Sequence, residues 1–236
     1  TWRETRAWRR SGTPEKPITI CAKAGERAIL MGSERLTNWR HEEGHIHSAS
    51  MTFDLEDQNQ LFCDGEPMVE ARWPNSASGM LATVLAKAEV GLSNEITDSE
   101  LPGREDFWKG ATLWCGGGSV WTFWTRKITS FDSTSRTLHF EAIRGHNPWY
   151  WPTKGSGYVL MGLRAALDTE GEWWVDRAAK RVYFWAPGGK NPEGLVVEAK
   201  CRLHVLTFSA VSNIRVEGFS FRAGGILVDE RSSFIL

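Results

Sequence analysis

The sequence predicts an all-β protein in which stacked coils of a parallel β-helix are interrupted by an inserted antiparallel β domain, either a sandwich or a barrel. Helical periodicity is scarce along the 236 residues. Short runs rich in Val, Ile, Thr, Phe, Tyr and Trp are separated by Gly, Pro, Asn, Asp and Ser, which is typical of β proteins. The runs near both ends of the chain are repetitive, whereas those in the middle have the pattern of hairpins.

The repetitive runs predict the β-helix. They lie at 17–21 and 27–31 near one end, and at 204–208, 214–221 and 225–228 near the other. The last three follow one another at a spacing of about 10 residues, and a coil of about 20 to 25 residues fits a solenoid repeat. We therefore expect β-helix coils over residues 1–46 and 192–236, with the inserted domain over 47–191.

The hairpin pattern predicts the inserted domain. The expected pairs are 61–63 with 69–73, 121–131 with 137–142, and 173–176 with 181–185. Each pair flanks a short segment of turn-forming residues, such as Asp64-Gly65. A short helix is expected at 162–167 and a weaker one at 80–88.

Composition excludes several classes of protein. A formal net charge of −1, from 28 basic and 29 acidic residues, gives no field that would favour nucleic acid or an anionic membrane. No apolar run reaches the roughly 18 residues of a membrane-spanning helix. The four cysteines are widely spaced and form no CxxC pair, so we expect free and mostly buried thiols.

Five segments carry a resemblance to a known family. They are GTPEKPITI (12–20), LFCDG (61–65), EARWPN (70–75), GEWWVD (171–176) and VEGF (216–219). With these segments the chain resembles bacterial right-handed parallel β-helix repeat proteins, which are similar in architecture to β-helical glycoside hydrolases, including β-xylosidases, and more distantly to polysaccharide lyases. The resemblance implies a polysaccharide or small-molecule substrate, no cofactor, and a parent protein that is secreted or periplasmic.

The resemblance also implies that the chain is truncated at both ends. In that family the inserted domain interrupts an early coil, and the catalytic carboxylates lie on later coils, beyond residue 236. A short stack of coils exposes unpaired N–H and C=O groups and apolar faces at its ends. We therefore predict a homodimer that forms through those ends.

Aromatic residues suggest a sugar-binding surface. Thirteen tryptophans are unusual in a chain of this length, and an indole ring suits both a β core and stacking on sugar rings. Trp149, Tyr150 and Trp151 are consecutive, so they cannot all be buried on one face of a strand. Together with Arg72, Trp73 and Asn75, they are the predicted carbohydrate-binding residues.

Histidines suggest an alternative, a zinc-dependent hydrolase of esters or phosphoesters. The segment 41–45 matches the H-E-x-x-H expression, but Gly44 lies inside it and the following residues are β-like, which argues against the helix that this motif needs. On a strand, His45 and His47 would share one face, and His41, His139 or His146 could supply a third zinc ligand. The competing interpretation is a set of solvated histidines at a domain junction.

Two further functions stay open at this point. Paired carboxylates could hydrolyse a glycosidic bond, and the candidates are Asp64, Glu66 and Glu70 around one hairpin and Glu172 and Asp176 on another. Asp64 is more simply explained as a turn residue. The remaining possibility is a structural module without an activity of its own.

Overall fold

The computed structural model of the protein describes residues 1–76, 84–118, 121–144 and 148–236. In these ranges β-strands predominate and the helices are single short 3₁₀ segments, which confirms the all-β prediction. None of the helices in the described ranges is long and apolar enough to cross a membrane.

The strands are numbered in chain order. They are β1 (Arg6–Trp8), β2 (Ile18–Cys21), β3 (Ala28–Met31), β4 (Ser33–Arg35), β5 (Arg40–Glu43), β6 (Ile46–Ser50), β7 (Leu61–Cys63), β8 (Glu66–Pro67), β9 (Val69–Glu70), β10 (Arg72–Trp73), β11 (Ala86–Lys87), β12 (Val90–Leu92), β13 (Glu95–Thr97), β14 (Thr112–Gly116), β15 (Phe123–Asp132), β16 (Thr137–Phe140), β17 (Gly157–Met161), β18 (Glu172–Asp176), β19 (Arg181–Trp185), β20 (Val197–Lys200), β21 (His204–Phe208), β22 (Ser212–Glu217), β23 (Phe219–Arg222), β24 (Gly225–Val228) and β25 (Ser233–Ile235). The 3₁₀ helices are Glu56–Gln58, Pro148–Tyr150, Arg164–Ala166, Pro187–Gly189 and Pro192–Gly194.

The chain divides into two compact units. Unit 1 comprises Thr1–Trp39, Ala49–Glu66 and Pro192–Leu236, and unit 2 comprises Arg40–Ser48 and Pro67–Asn191. Where the domains of the whole protein begin and end stays a prediction, with boundaries at residues 46/47 and 191/192.

Unit 1 contains three small parallel ladders. β21 lies between β1 and β24, β22 lies between β2 and β25, and β23 pairs with β3. Some of their strands, such as β2 with Ile18-Thr19-Ile20, alternate apolar and polar residues, so one face of those strands can be buried. A separate antiparallel sheet has the order β4-β20-β7-β8.

The core of unit 1 is formed by the apolar faces of these ladders. Its buried members are Leu30, Val205, Leu206, Phe208, Val211 and Ile214. β24 is different, because Ile226, Leu227 and Val228 are all exposed. The apolar face of this strand is therefore left uncovered within unit 1.

Unit 2 is built from two sheets. The larger has the order β10-β17-β14-β15-β16-β13-β12, with β11 also paired to β17, and the smaller has the order β5-β6-β19-β18-β9. The pairings in both sheets for which a register is known are antiparallel except for β9 with β18. Large side chains that are fully buried fill the core, among them Trp108, Phe131, Tyr158 and Phe184.

Two of the three predicted hairpins are present in unit 2. β15 pairs with β16 across the turn at 133–136, and β18 pairs with β19 across 177–180. The third prediction is wrong in its second strand. β7 turns at Asp64-Gly65 into β8, whereas β9 pairs with β18 and β10 with β17. Asp64 and Gly65 both have positive φ, as a tight hairpin turn requires.

The two helix predictions have different outcomes. The short one is present as the 3₁₀ turn Arg164–Ala166. The weaker one, at 80–88, lies partly outside the described residues, and its described part is wrong because Ala86–Lys87 is a strand. Ala86 is buried and Lys87 is exposed, as expected on a strand that pairs with β17. A helix this short is unstable by itself.

Candidate functional site

The candidate site is a groove on unit 2 formed by two adjoining cavities. Their volumes are about 750 Å³ and about 230 Å³. Both cavities are lined by Leu85, Lys87, Lys154 and Gly155, so they adjoin along these residues. We call the larger part, which begins at Trp73 and Pro74, the Trp73 end. We call the smaller part, lined by residues 116–118, Phe123 and Gly157, the glycine end.

The aromatic ring of Trp73 lines the Trp73 end of the groove. Its half-buried ring packs against the rings of Trp108 and Tyr158, with centroid separations of 6.2 Å and 6.0 Å. The peptide bond from Trp73 to Pro74 is cis. A ring held by two buried aromatic neighbours presents its remaining surface to the groove in a fixed position.

Arg72 holds the loop that follows Trp73. Its guanidinium is buried and donates hydrogen bonds through Nε to the Pro74 carbonyl (2.9 Å) and through Nη2 to the Val84 carbonyl (2.5 Å). The exposed Asn75 amide donates to a carboxylate oxygen of Asp168 (2.8 Å). Arg72 is therefore a positioning residue, whereas Trp73 and Asn75 are accessible to a ligand.

A buried carboxyl group lies beside this loop. Glu172 is only 2% exposed, and its two oxygens accept hydrogen bonds from the backbone N–H groups of Arg72 (3.3 Å) and Asp168 (3.4 Å). Burial raises the pKa of Glu172 to about 8, and the nearby charge of Asp168 acts in the same direction. Glu172 therefore retains its proton at neutral pH.

Carboxyl groups also line the groove itself. Asp98, Glu89 and Glu100 border the Trp73 end. Asp98 is buried and accepts a hydrogen bond from the Tyr158 hydroxyl (2.7 Å), while Glu89 accepts one from Ser99 (2.5 Å). Carboxylates beside an aromatic wall can accept hydrogen bonds from several hydroxyl groups of one ligand.

The glycine end lies next to the predicted aromatic run. The N–H of Gly118 donates to the Trp151 carbonyl (2.8 Å), and Trp124 Nε1 donates to the Tyr150 carbonyl (2.9 Å). A Cβ atom on Gly117 would be 2.9 Å from the carbonyl oxygens of Trp149 and Tyr150, so this close approach requires glycine. The groove therefore ends beside the aromatic run.

The three aromatic side chains of this run differ in exposure, and at least one was expected to be exposed. Trp149 is 62% exposed and Tyr150 is 40% exposed, whereas Trp151 is half-buried. Asn147 lies outside the described residues. The structure thus places the two predicted groups of carbohydrate-binding residues near opposite ends of one groove and does not bring them into one cluster.

The predicted histidine cluster is not assembled. Residues 40–50 form the hairpin β5–β6, so the H-E-x-x-H segment is not helical. The rings of His41 and His47 meet edge to face at 5.3 Å, but the His45 ring packs on Trp185 at 5.0 Å. His146 lies outside the described residues, and His139 is beside Glu95. No group of three or more His, Cys, Asp or Glu side chains in the described ranges is placed to hold a metal ion, so the zinc hypothesis has no structural support.

The sequence-derived carboxylate candidates are dispersed. Asp64 has a positive φ in its hairpin turn and accepts the backbone N–H of Val196, so it is a turn residue as expected. Glu70 and Glu172 lie on the paired strands β9 and β18, but they are not opposite each other. Glu70 is opposite Trp173, and Glu172 is opposite Val69. Neither Glu70 nor Asp64 lines the groove.

Several groove residues were missed by sequence reasoning. Lys87, Lys154 and Asp98 come from three separate segments, and each is an ordinary surface residue type in its own local pattern. Phe123 opens a long alternating strand and resembles any other strand aromatic. Only the pairing of β11 with β17 and the packing around Tyr158 bring these residues to one groove.

Comparisons with known proteins give a fold likeness. The chain matches no protein-family model and no curated protein. Among solved structures it is similar to a glycoside hydrolase, with a TM-score of 0.68 and 21% identity over 93% of this chain and 42% of that chain. A weaker likeness, with a TM-score of 0.41 and 13% identity over 94% of this chain and 30% of that chain, is to XylC in complex with xylose.

The first likeness concerns the fold, and the second is too weak to support an argument. The chain therefore has an all-β fold like that of a glycoside hydrolase. It spans about two fifths of the length of that solved protein.

Proposed function

We propose that this chain is part of a carbohydrate-active protein and that unit 2 binds a glycan in the groove between Trp73 and Phe123. The observation that carries the proposal is the combination, in one open groove, of aromatic side chains with carboxylates and ammonium groups. Sugar rings offer apolar C–H faces that stack on aromatic rings and hydroxyl groups that need hydrogen-bond partners. The name of the solved glycoside hydrolase fits the same class of ligand.

For unit 1 we propose a short parallel β-helix, as the sequence predicts. Support comes from the order of its parallel pairs, because β1, β2 and β3 are matched in sequence by β21, β22 and β23. Ser212 pairs with Ser233 and Ile214 with Ile235, so β22 meets β25 after 21 residues, and β21 meets β24 after 20 or 21 residues, as in a solenoid. Interstrand NOEs should link Ile214 to both Ile18 and Ile235, and an antiparallel NOE pattern would contradict the proposal.

Glycan binding can be tested by affinity electrophoresis and titration calorimetry with xylan and related soluble polymers. Phe123 is exposed at the glycine end, so Phe123→Ala should weaken binding with little effect on folding. Trp73→Leu should weaken it by about 1 to 3 kcal/mol, by analogy with nucleic acid bases that stack on aromatic side chains. Trp2→Ala, which removes an exposed indole from unit 1, is the matched control and should bind like the wild type.

Two results would contradict glycan binding in this groove. Retardation of wild type and both groove variants to the same extent, or no retardation on any polymer, would leave a structural module as the better explanation. Circular dichroism spectra of the variants separate lost binding from lost folding.

Hydrolysis of a glycosidic bond is a second candidate function. It is favoured by the carboxyl groups of Asp98, Glu89 and Glu100 at the Trp73 end, since glycosidases use a pair of carboxyl groups. Release of reducing sugar from xylan should then depend on Glu100, and Glu100→Gln should abolish it without abolishing binding. Binding without any release of sugar by the wild type would assign the groove to recognition alone.

We also propose a homodimer and a secreted or periplasmic parent protein. The exposed apolar side chains of β24 suit a homodimer formed through the end of the ladders, as predicted. Light scattering that gives a strict monomer at micromolar concentration would rule this out. A secreted or periplasmic parent protein is proposed from the family resemblance, and fractionation of the cells that produce it is the test.

A further inference from the structure

We propose that the glycine end of the groove is a subsite for an acidic sugar unit, with the ammonium groups of Lys87 and Lys154 binding its carboxylate. The inference rests on the proposed glycan-binding function and names the class of glycan: a chain that carries a uronic acid residue. The carboxylate would lie at the glycine end while neutral sugar units extend toward Trp73.

The position of Lys87 is fixed by strand pairing. β11 pairs with β17 so that Lys87 is opposite Gly157. A Cβ atom on Gly157 would be 2.7 Å from Leu85 Cδ1 and 3.5 Å from Lys87 Nζ, so both side chains lie over this glycine. Leu85, Lys87 and Gly157 all line the glycine end.

Lys154 is brought beside Lys87 by backbone hydrogen bonds. The N–H of Gly155 donates to the Ala88 carbonyl (2.7 Å), and the N–H of Ala88 donates to the Ser156 carbonyl (3.0 Å). The residues that follow each lysine are therefore joined directly. Both lysines line both parts of the groove, so two positive charges border the same space.

The two ends of the groove share the two lysines but differ in their acidic residues. No Asp or Glu is among the described residues that line the glycine end, whereas Asp98, Glu89 and Glu100 border the Trp73 end. Within the described ranges, Lys87 and Lys154 take part in no ion pair, although Lys109 in the same unit is paired with Asp106. Two ammonium groups without a carboxylate partner are a suitable counter-charge for one sugar carboxylate.

The aromatic wall explains why a sugar acid fits better than a small free anion. Phe123 lines the glycine end and is stacked on Trp114 with a centroid separation of 4.9 Å. Phe123 therefore offers one open face beside the two ammonium groups. A uronic acid unit presents an apolar ring face and a carboxylate together, so it can use both features at once.

The test compares two glycans that differ only in charge. The probes are a xylo-oligosaccharide that carries one glucuronic acid branch and the same compound after reduction of its carboxyl group to an alcohol. Calorimetry at low salt should give the wild type about tenfold tighter binding of the acidic probe, the size expected for charge-assisted contacts at a partly exposed site. Raising the salt concentration to about 0.5 M, roughly three times the physiological value, should remove most of that preference.

Substitution of the lysines should remove the same preference. The double variant Lys87→Met, Lys154→Met keeps the aliphatic stems and should bind the acidic and the reduced probe equally. Lys190→Met, which removes one positive charge of unit 2 outside the groove, is the control and should keep the wild-type preference.

Equal affinity of the wild type for the two probes, with binding that still depends on Trp73, would overturn the acidic subsite and leave the proposed glycan binding intact. Failure of both probes and of all neutral polymers to bind would overturn both proposals. Tighter binding of a sulfated oligosaccharide than of the uronic acid probe would also overturn the assignment to a sugar carboxylate.

Discussion

Replacement of Glu172 by Gln should change how the stability of the protein depends on pH. The carboxyl group is buried beside the Arg72–Asn75 loop, and it accepts long hydrogen bonds from the backbone N–H groups of Arg72 (3.3 Å) and Asp168 (3.4 Å). Burial raises its pKa from an ordinary value of 4.5 to about 8. Gln has about the same size and does not ionise, but only its Oε1 atom can accept a hydrogen bond, so one of the two N–H groups loses its acceptor. That loss lowers the stability of the variant equally at every pH and leaves the pH dependence to report on Glu172 alone.

The sign of the effect follows from proton binding in the two states. Between pH 4.5 and about 8, folded Glu172 keeps a proton that the unfolded chain has released. Stability from this group is therefore complete below pH 4.5 and is lost as the pH rises through about 8. One pKa unit corresponds to about 1.4 kcal/mol, so the loss amounts to about 1 kcal/mol at pH 5 and about 4 kcal/mol at pH 8.

The assay is urea unfolding of wild type and Glu172→Gln at several pH values between 5 and 9. The difference in free energy of unfolding between variant and wild type should grow by about 3 kcal/mol from pH 5 to pH 8. Glu141→Gln removes an exposed carboxylate of the same unit and should leave the wild-type pH dependence unchanged. Parallel curves for wild type and Glu172→Gln across this range would refute the reasoning.

The same titration should reach the groove. The Arg72 N–H and the Asp168 N–H both contact Glu172, and Asp168 also accepts from Asn75. Ionisation of Glu172 places a second negative charge beside Asp168 and should loosen the loop that carries Trp73. Glycan affinity of the wild type is therefore expected to fall above about pH 8, whereas that of Glu172→Gln should stay level.

Three further predictions concern packing, thiol reactivity and the loop. Phe131→Ala should lower the free energy of unfolding by about 4 kcal/mol, because the Phe131 ring is fully buried, whereas Phe123→Ala should lower it by less than about 1 kcal/mol, because the Phe123 ring is exposed. Equal losses for the two variants in urea unfolding would be inconsistent with this core. A thiol reagent at pH 8 should label the exposed Cys21 quickly and Cys115 only on unfolding, because burial raises the pKa of the Cys115 thiol to about 12; rapid labelling of both is the adverse result. Arg72→Lys should lower the free energy of unfolding by about 2 kcal/mol, since one ammonium group cannot reproduce the two directed hydrogen bonds to loop carbonyls, and an unchanged urea midpoint would argue against that role.

Local pattern was sufficient for about half of the strands. The predicted run 204–208 coincides with β21 and 225–228 with β24, because apolar residue types and flanking turn residues are properties of a few neighbouring positions. The hairpin of β18 and β19 was predictable for the same reason. Its partner strands are separated only by a short turn, so no distant segment had to be identified.

Partners that lie far apart in the chain could not be predicted. β9 and β10 are strands of two residues each, and they pair with β18 and β17, about 90 to 100 positions later. A two-residue strand has no periodicity that specifies its register. The error in the first hairpin arose here, since the tight turn at Asp64-Gly65 was recognised but the strand after it was extended too far.

Those parts of the candidate site that have a distinctive local sequence pattern could be predicted. Three consecutive aromatics at 149–151 predicted at least one exposed ring, and Trp149 is exposed, although Pro148–Tyr150 is a 3₁₀ turn and not the strand on which the prediction was based. Arg72 was expected to bind sugar, yet its guanidinium is buried and is used to hold the loop. Nothing in the residue types distinguishes these two uses, because both exploit the same planar set of donors.

Polar contacts act together with apolar packing to hold the Trp73 loop. Burial lowers the pKa of the Arg72 guanidinium and raises the pKa of the Glu172 carboxyl, so both groups carry a cost of desolvation. That cost is offset by directed hydrogen bonds, in which Arg72 donates to two carbonyls and Glu172 accepts from two N–H groups. Directed hydrogen bonds define a single loop conformation more narrowly than apolar contacts of the same number. A stacking surface held in this way needs little rearrangement on binding, so the Trp73 ring should have the same orientation in the free protein and in its glycan complex.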